Sequence, residues 1–173
     1  MNHALTKRAP KGIRRKVKVR QRAGLAASKS GGGVVNFCLR GPSGKTAASA
    51  FTPSQLIDVI RGGLPVQQLK ILQASLAVPM DRLVPMLGIS EATLLRRIAG
   101  GRLGPSESAR VVRFARLMGK AVEVMESEED ARRWLSSPQF GLGGAVPLEY
   151  AETEVGAREV EDLLGRIEYG VYS

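Results

Sequence analysis

Cysteine and histidine are almost missing from this sequence: Cys38 and His3 are the only examples. One thiol excludes a disulfide framework within the chain, and one thiol with one imidazole is too small a donor set for a Cys/His zinc site. A single thiol suits a reducing compartment. Long apolar runs are also lacking. Nothing approaches the roughly 18 residues of a membrane span, and the basic N-terminus has no apolar stretch of the signal-peptide kind. A cytoplasmic protein with no membrane partner is expected. Acidic residues are missing from the first 57 positions, since the first acid is Asp58.

That last absence exposes a charge gradient behind the net +10. Residues 1–50 carry 12 Lys and Arg and no acid, residues 51–120 carry a net +6, and residues 121–173 carry a net −8. Such polarity fits a polyanion at the front and a different partner at the back, although a solvated tail with ordinary surface charge would look the same.

The leading segment, with Lys7-Arg8, Lys11 and the run Arg14 to Arg20, then Ser28 to Gly33, reads as a basic disordered arm and a Gly/Ser linker. Any phosphate contact it makes is expected to be sequence-independent. At most a weak strand falls near 34–39. Gly41-Pro-Ser-Gly44-Lys45-Thr46 imitates a phosphate-binding loop, but the required first glycine is replaced by Leu39. Nucleotide binding is therefore not expected.

From Phe51 onward apolar residues recur at helical spacing and no strand–helix alternation appears, so the fold class is all-α. Thr52-Pro53-Ser54-Gln55 opens a helix that Gly62-Gly63 stops. A second helix is expected from about Pro65 to Leu76, and a third from Pro79 to Gly88. Leu83 to Ile98 reads as a helix-turn-helix. Gly88 makes the turn, Ile89 plugs the core, Ser90 caps the second helix, and Leu94, Leu95 and Ile98 face inward. This leaves Ser90, Thr93, Arg96 and Arg97 toward a major groove and Arg102 within reach of phosphate, with operator DNA as the partner. Pro85 inside the first helix and the negative charge of Glu91 argue the other way, for a scaffold that keeps the shape without reading sequence.

A long helix follows, with Ser106 as its cap, running to about Met125. Its broad apolar face of Val111, Val112, Phe114, Leu117, Met118, Val122 and Met125 marks core and a possible dimer contact. Ser127 caps a short helix bearing Trp134 and Leu135. A glycine-rich loop leads to a last helix capped by Thr153, with Gly170 just past its end. Three units are expected: 1–50 the arm, 51–120 a DNA-binding and dimerisation module, and 121–173 a separate binding domain. Catalysis has little to draw on, because the one His and one Cys lie in the arm. The acids from Glu126 to Asp130 fit helix capping better than acid–base chemistry. No enzyme and no cofactor are expected.

The stretch from about Leu64 to Ser173 resembles the Xre/MbcA/ParS family of antitoxins. The resemblance is carried by Leu87-Gly88-Ile89-Ser90, Leu94 to Gly101, Trp134-Leu135, Gly143-Gly144, Pro147-Leu148, Thr153 to Val160 and, most specifically, Leu163 to Ser173. It departs at Pro138 to Leu142, where relatives tend to have Asn-Pro and a small residue, and the arm is not shared. The resemblance implies a type II antitoxin that blocks the active site of a RES-type, NAD-consuming toxin with its C-terminal region. It also implies an N-terminal module that forms a homodimer and represses its own operon. By position, the implied toxin contacts are Arg158, Glu161, Glu168, Tyr169, Gly170, Val171, Tyr172 and Ser173. A stand-alone helix-turn-helix transcription regulator is the competing reading.

Overall fold

The computed structural model of the chain describes residues 53–170. The basic arm, the 34–39 strand, the loop at 41–46, the Thr52 cap and Val171 to Ser173 lie outside them. Among the described residues eight α-helices and one 3-10 turn form, and no strand. They are α1 (Pro53–Gly62), α2 (Gln67–Leu76), α3 (Met80–Met86), α4 (Glu91–Gly100), α5 (Pro105–Met125), α6 (Glu128–Leu135), α7 (Pro147–Tyr150) and α8 (Glu154–Glu168), with the 3-10 turn at Phe140–Leu142.

Helix α5 is the spine. Val111, Val112, Phe114, Ala115, Leu117, Met118 and Ala121 are all buried along it, while Val122 and Met125 are partly buried. Phe114, Leu117 and Met118 reach zero exposure, and each stabilises the fold by about 1.5–3 kcal/mol relative to an exposed position. Helices α1, α2, α6 and α8 all pack on this spine, so one continuous core runs from Leu64 to Leu164. The expected boundary at residue 120 falls inside α5.

Polar contacts join the same halves. Arg132 of α6 donates through Nε to the Ser75 carbonyl at the end of α2 at 2.7 Å. Arg82 of α3 pairs with Glu149 of α7 at 2.9 Å. Exposed pairs such as Arg82–Glu149 contribute little, about 0–1 kcal/mol, so the apolar spine sets the stability and these contacts set the docking angle.

The long helix begins differently from the sequence expectation. Gly104, not Ser106, is its N-cap and Pro105 is its first residue. The reason is Glu107, whose carboxylate accepts the Gly104 N–H from the N3 position, so the cap lies two residues before Ser106. The second helix also starts later than Pro65. Pro65 instead forms an isolated antiparallel bridge with Arg102, flanked by Val66 N–H to Gly101 O at 3.1 Å and Leu103 N–H to Leu64 O at 2.8 Å. The buried Ser108 hydroxyl locks this crossing, accepting from Leu64 N–H and donating to Gly104 O, both at 2.8 Å.

Candidate functional site

The turn between α3 and α4 is built as the sequence implies. Gly88 has φ +59°, its N–H reaches Pro85 O at 2.7 Å, and Ile89 N–H reaches Val84 O at 3.1 Å. This is the Schellman arrangement, in which a left-handed residue satisfies the last carbonyls of a helix. Ile89 is buried, and Arg110 donates to the Leu87 and Gly88 carbonyls at 3.0 and 3.2 Å. Pro85 falls in the last turn of α3, on its exposed side, where the helix is already ending. Ser90 then caps α4, accepting Thr93 N–H at 3.2 Å and donating to Thr93 Oγ1 at 3.0 Å.

Helix α4 is rotated from the orientation expected of it. Leu94 packs against the core, but Leu95 is 69% exposed and Ile98 53% exposed, so these two do not face inward. The inward side is taken by Thr93, Leu94 and Arg97 because Arg97 is anchored. Its guanidinium pairs with the buried Glu107 at 2.8 Å. Burial pushes the Glu107 carboxyl up. The Gly104 N–H, the Arg97 hydrogen bond and the charges of Arg97 and Arg96 together outweigh it and hold that carboxyl below its ordinary range.

Of the five positions assigned to DNA, Ser90 and Thr93 are joined at the cap and Arg96 is exposed. Arg97 is bound to Glu107. Arg102 donates to the Gly62 and Gly63 carbonyls at 3.3 and 2.7 Å, closing the end of α1. Thus Arg96 is the member of the set that stands clear of the fold.

In the C-terminal half, Thr153 caps α8 by accepting Gly156 N–H at 3.0 Å. Three ion pairs lay α8 along α5: Arg113–Glu154 at 2.9 Å, Arg116–Glu161 at 3.2 Å and Lys120–Glu168. Arg158 pairs loosely with Glu154 at 3.6 Å, and with Glu161 it lines a cleft of about 280 Å³ between α1, α5 and α8. Glu161 and Glu168 are therefore already partnered. Tyr169, one residue past the helix, is 79% exposed, and Gly170 takes φ +68°. Glu161 and Tyr169 are about 12 Å apart along the helix axis, so the implied contacts divide into a cleft group and an end group.

Sequence reasoning missed Phe140. It is 97% exposed on the 3-10 turn, while its neighbour Gly141 presses so closely on Leu163 of α8 that a Cβ there would lie 2.6 Å from it. The available signal was an aromatic residue set in a glycine-rich turn. Gln139 closes that loop, its side chain donating to the Trp134 and Ser137 carbonyls at 2.9 and 3.0 Å.

Among the described residues no group of His, Cys, Asp or Glu could hold a metal ion, and no helix is long and apolar enough to cross a membrane.

Comparison with known proteins agrees with this two-ended layout. Residues 55–116 match the antitoxin Xre-like helix-turn-helix domain, and residues 120–170 match the antitoxin Xre/MbcA/ParS C-terminal toxin-binding domain. The chain is 38% identical over 120 residues to the antitoxin Xre of Yersinia enterocolitica, covering 68% of this chain and 81% of that protein. It is 34% identical over 117 residues to the antitoxin Xre of Photorhabdus laumondii, covering 66% and 79%. Similarity at 30% over 132 residues extends to a Prs ADP-ribosylating antitoxin of a Sphingobium species, covering 70% and 83%. A helix-turn-helix followed on one spine by this toxin-binding domain places the chain in the Xre/MbcA/ParS family of type II antitoxins.

Proposed function

We propose that this antitoxin acts in the cytoplasm as a non-enzymatic homodimer and neutralises a RES-type, NAD-consuming toxin by covering its active site with the surface around the end of α8. The carrying observation is the exposure of Tyr169 at 79% and Phe140 at 97%, the two most exposed large apolar side chains among the described residues. Aromatic side chains of this kind supply large contact area at low ordering cost and dominate protein interfaces. Val171, Tyr172 and Ser173, which follow Gly170 in the sequence, are further contacts in this reading, and Arg158 and Glu161 form the second, charged group. Similarity to an antitoxin whose name couples it to ADP-ribosylation supports a partner that handles NAD.

The test is co-expression with the product of the adjacent gene, reading growth, NAD content and co-purification. A stable complex that restores growth and NAD is expected. Phe140→Ala with Tyr169→Ala weakens the complex by about 30-fold or more, the scale of a hot-spot loss. An undiminished complex overturns the assignment of this surface, and no complex at all overturns the toxin reading.

Repression of the antitoxin's own operon is the second part of the reading, favoured by the intact turn at Gly88 and the capped start of α4. Arg96 is the base-reaching candidate, with Ser90 and Thr93 beside it at the helix N-terminus. Arg96→Ala is the decisive variant, because replacing Arg97 also strips Glu107 of its partner and Arg102 also opens the α1 terminus. Loss of about 1–3 kcal/mol of operator affinity is expected, and unchanged affinity at physiological salt removes Arg96 from the site.

A further inference from the structure

An apolar groove runs between α3 and α4, on the flank of α4 turned away from Arg96 and apart from the surface assigned to toxin. Met80, Val84, Pro85, Ile89 and Leu94 line it, and it encloses about 350 Å³. Ile98, one turn beyond Leu94 and 53% exposed, carries the apolar surface further along α4. Asp81 and Glu91 stand exposed on its rim, and among the described residues no cation pairs with either. Monomeric proteins rarely leave continuous apolar surface of this kind uncovered.

The chain carries an occupant of the right chemistry. Val34, Val35, Phe37, Cys38 and Leu39 form the densest cluster of large apolar side chains ahead of α1, and Arg40 follows directly. No acid precedes Asp58, so the surroundings of this segment are positive where the rim of the groove is negative. Residues 40–52, thirteen in all, separate Leu39 from Pro53, the first residue of α1. Fully extended they span about 43–47 Å, well over the roughly 30 Å diameter of a small domain, so the segment reaches the groove from any point of attachment. So short a tether also holds it at high local concentration, and a groove too shallow to capture a free peptide can hold it.

We infer that residues 34–39 dock in the groove between α3 and α4 of their own chain, with Phe37 as the apolar anchor and Arg40 beside the acids of the rim. Operator contact is not obstructed. Arg96 lies two residues from Leu94 and two from Ile98, about 160° round the helix from each, so the docked segment leaves it clear. The basic run Arg14 to Arg20 is thereby held beside the helix-turn-helix, where phosphates of a bound duplex meet its charge. The contact itself is independent of both the toxin and the operator readings.

Cys38 is the chain's one cysteine and falls inside the docking segment, so its reactivity tests the contact in the full-length protein. Alkylation of Cys38 by iodoacetamide is about tenfold slower in the native protein than in urea, because a covered thiol reacts slowly, and Phe37→Ser restores most of the lost rate. Pro85→Cys places a second thiol on the exposed wall of the groove. Mild oxidation then closes a disulfide with Cys38 within one chain, in a yield independent of protein concentration, whereas Glu123→Cys on an exposed part of α5 gives none. A Cys38 that reacts in the native protein at its unfolded rate overturns the docking. A protected Cys38 that Pro85→Cys fails to capture puts the segment elsewhere and overturns this groove. A disulfide formed only between chains, rising with concentration, gives the groove to the arm of a second copy and overturns the contact within one chain.

Discussion

Glu107 shows how much one buried carboxylate organises. It starts α5 through the Gly104 N–H and fixes the rotation of α4 through Arg97, so a change there reaches the candidate DNA surface. Because its folded pKa is depressed, the ionised form stabilises the fold. That contribution is complete above the ordinary glutamate value of 4.5 and is lost as pH falls from there through the lower folded value. Thermal denaturation between pH 7 and pH 3 is expected to show a steep acid loss of stability in the wild type. Glu107→Gln lowers the neutral-pH Tm and flattens this acid limb, since a neutral amide has nothing to protonate. An unchanged acid limb in the variant would show that other carboxylates govern it. This residue was invisible to sequence reading because Ser106 offered a more conventional cap, and only the buried position of Glu107 decides between them.

Individual elements were legible to different degrees, and the differences have physical causes. Helix α5, with one broad apolar stripe, could be oriented from periodicity alone because the stripe must be buried, and α8 only in part, since Val160 and Leu164 are buried while Val155 in its first turn is 73% exposed. The turn at Gly88 and the Ser90 and Thr153 caps were equally plain, since each depends on local chemistry. Helix α4 was not, because apolar residues at 92, 94, 95, 98 and 99 surround much of its circumference. Which side faced the core was set by a long-range ion pair ten residues away. The candidate toxin surface was legible in its helix but not in Phe140, whose exposure is created by the fit of Gly141 against Leu163.

Helix α8 makes a second demand at this scale. A Cβ on Gly156 would stand 1.8 Å from the Tyr150 carbonyl oxygen, so α8 docks on α7 only because that position is bare. Gly156→Ala is expected to destabilise the fold by about 3 kcal/mol or more, well above the cost of an ordinary surface substitution, and to abolish toxin binding. A half-buried helical control with open space around it, Gly165→Ala, meets nothing within 4 Å and gains about 0.5–1 kcal/mol through helix propensity. Chemical denaturation of both variants, measured side by side, checks the pair, and equal effects would mean that the α7–α8 contact is not structural.

At the scale of the whole molecule, the two halves match different domain families but share one core. Phe114, Leu117 and Met118 on α5 are covered completely by the joint packing of both halves, and Arg132 ties α6 to the end of α2. A helix-turn-helix hung on a linker would unfold apart from the toxin-binding half, whereas halves sharing a spine must unfold together. Trp134 is the chain's one tryptophan and lies in the toxin-binding half, so its fluorescence reports that half while far-UV circular dichroism reports every helix. The two probes are expected to give coincident urea transitions. Phe114→Ala shifts both by the same amount, corresponding to about 3–5 kcal/mol for an emptied aromatic site. Separated transitions would show that α5 does not couple the halves. Coincident ones mean that a ligand gripping either half stabilises the other by mass action, so a toxin bound at the surface proposed around α8 would also hold the helix-turn-helix folded.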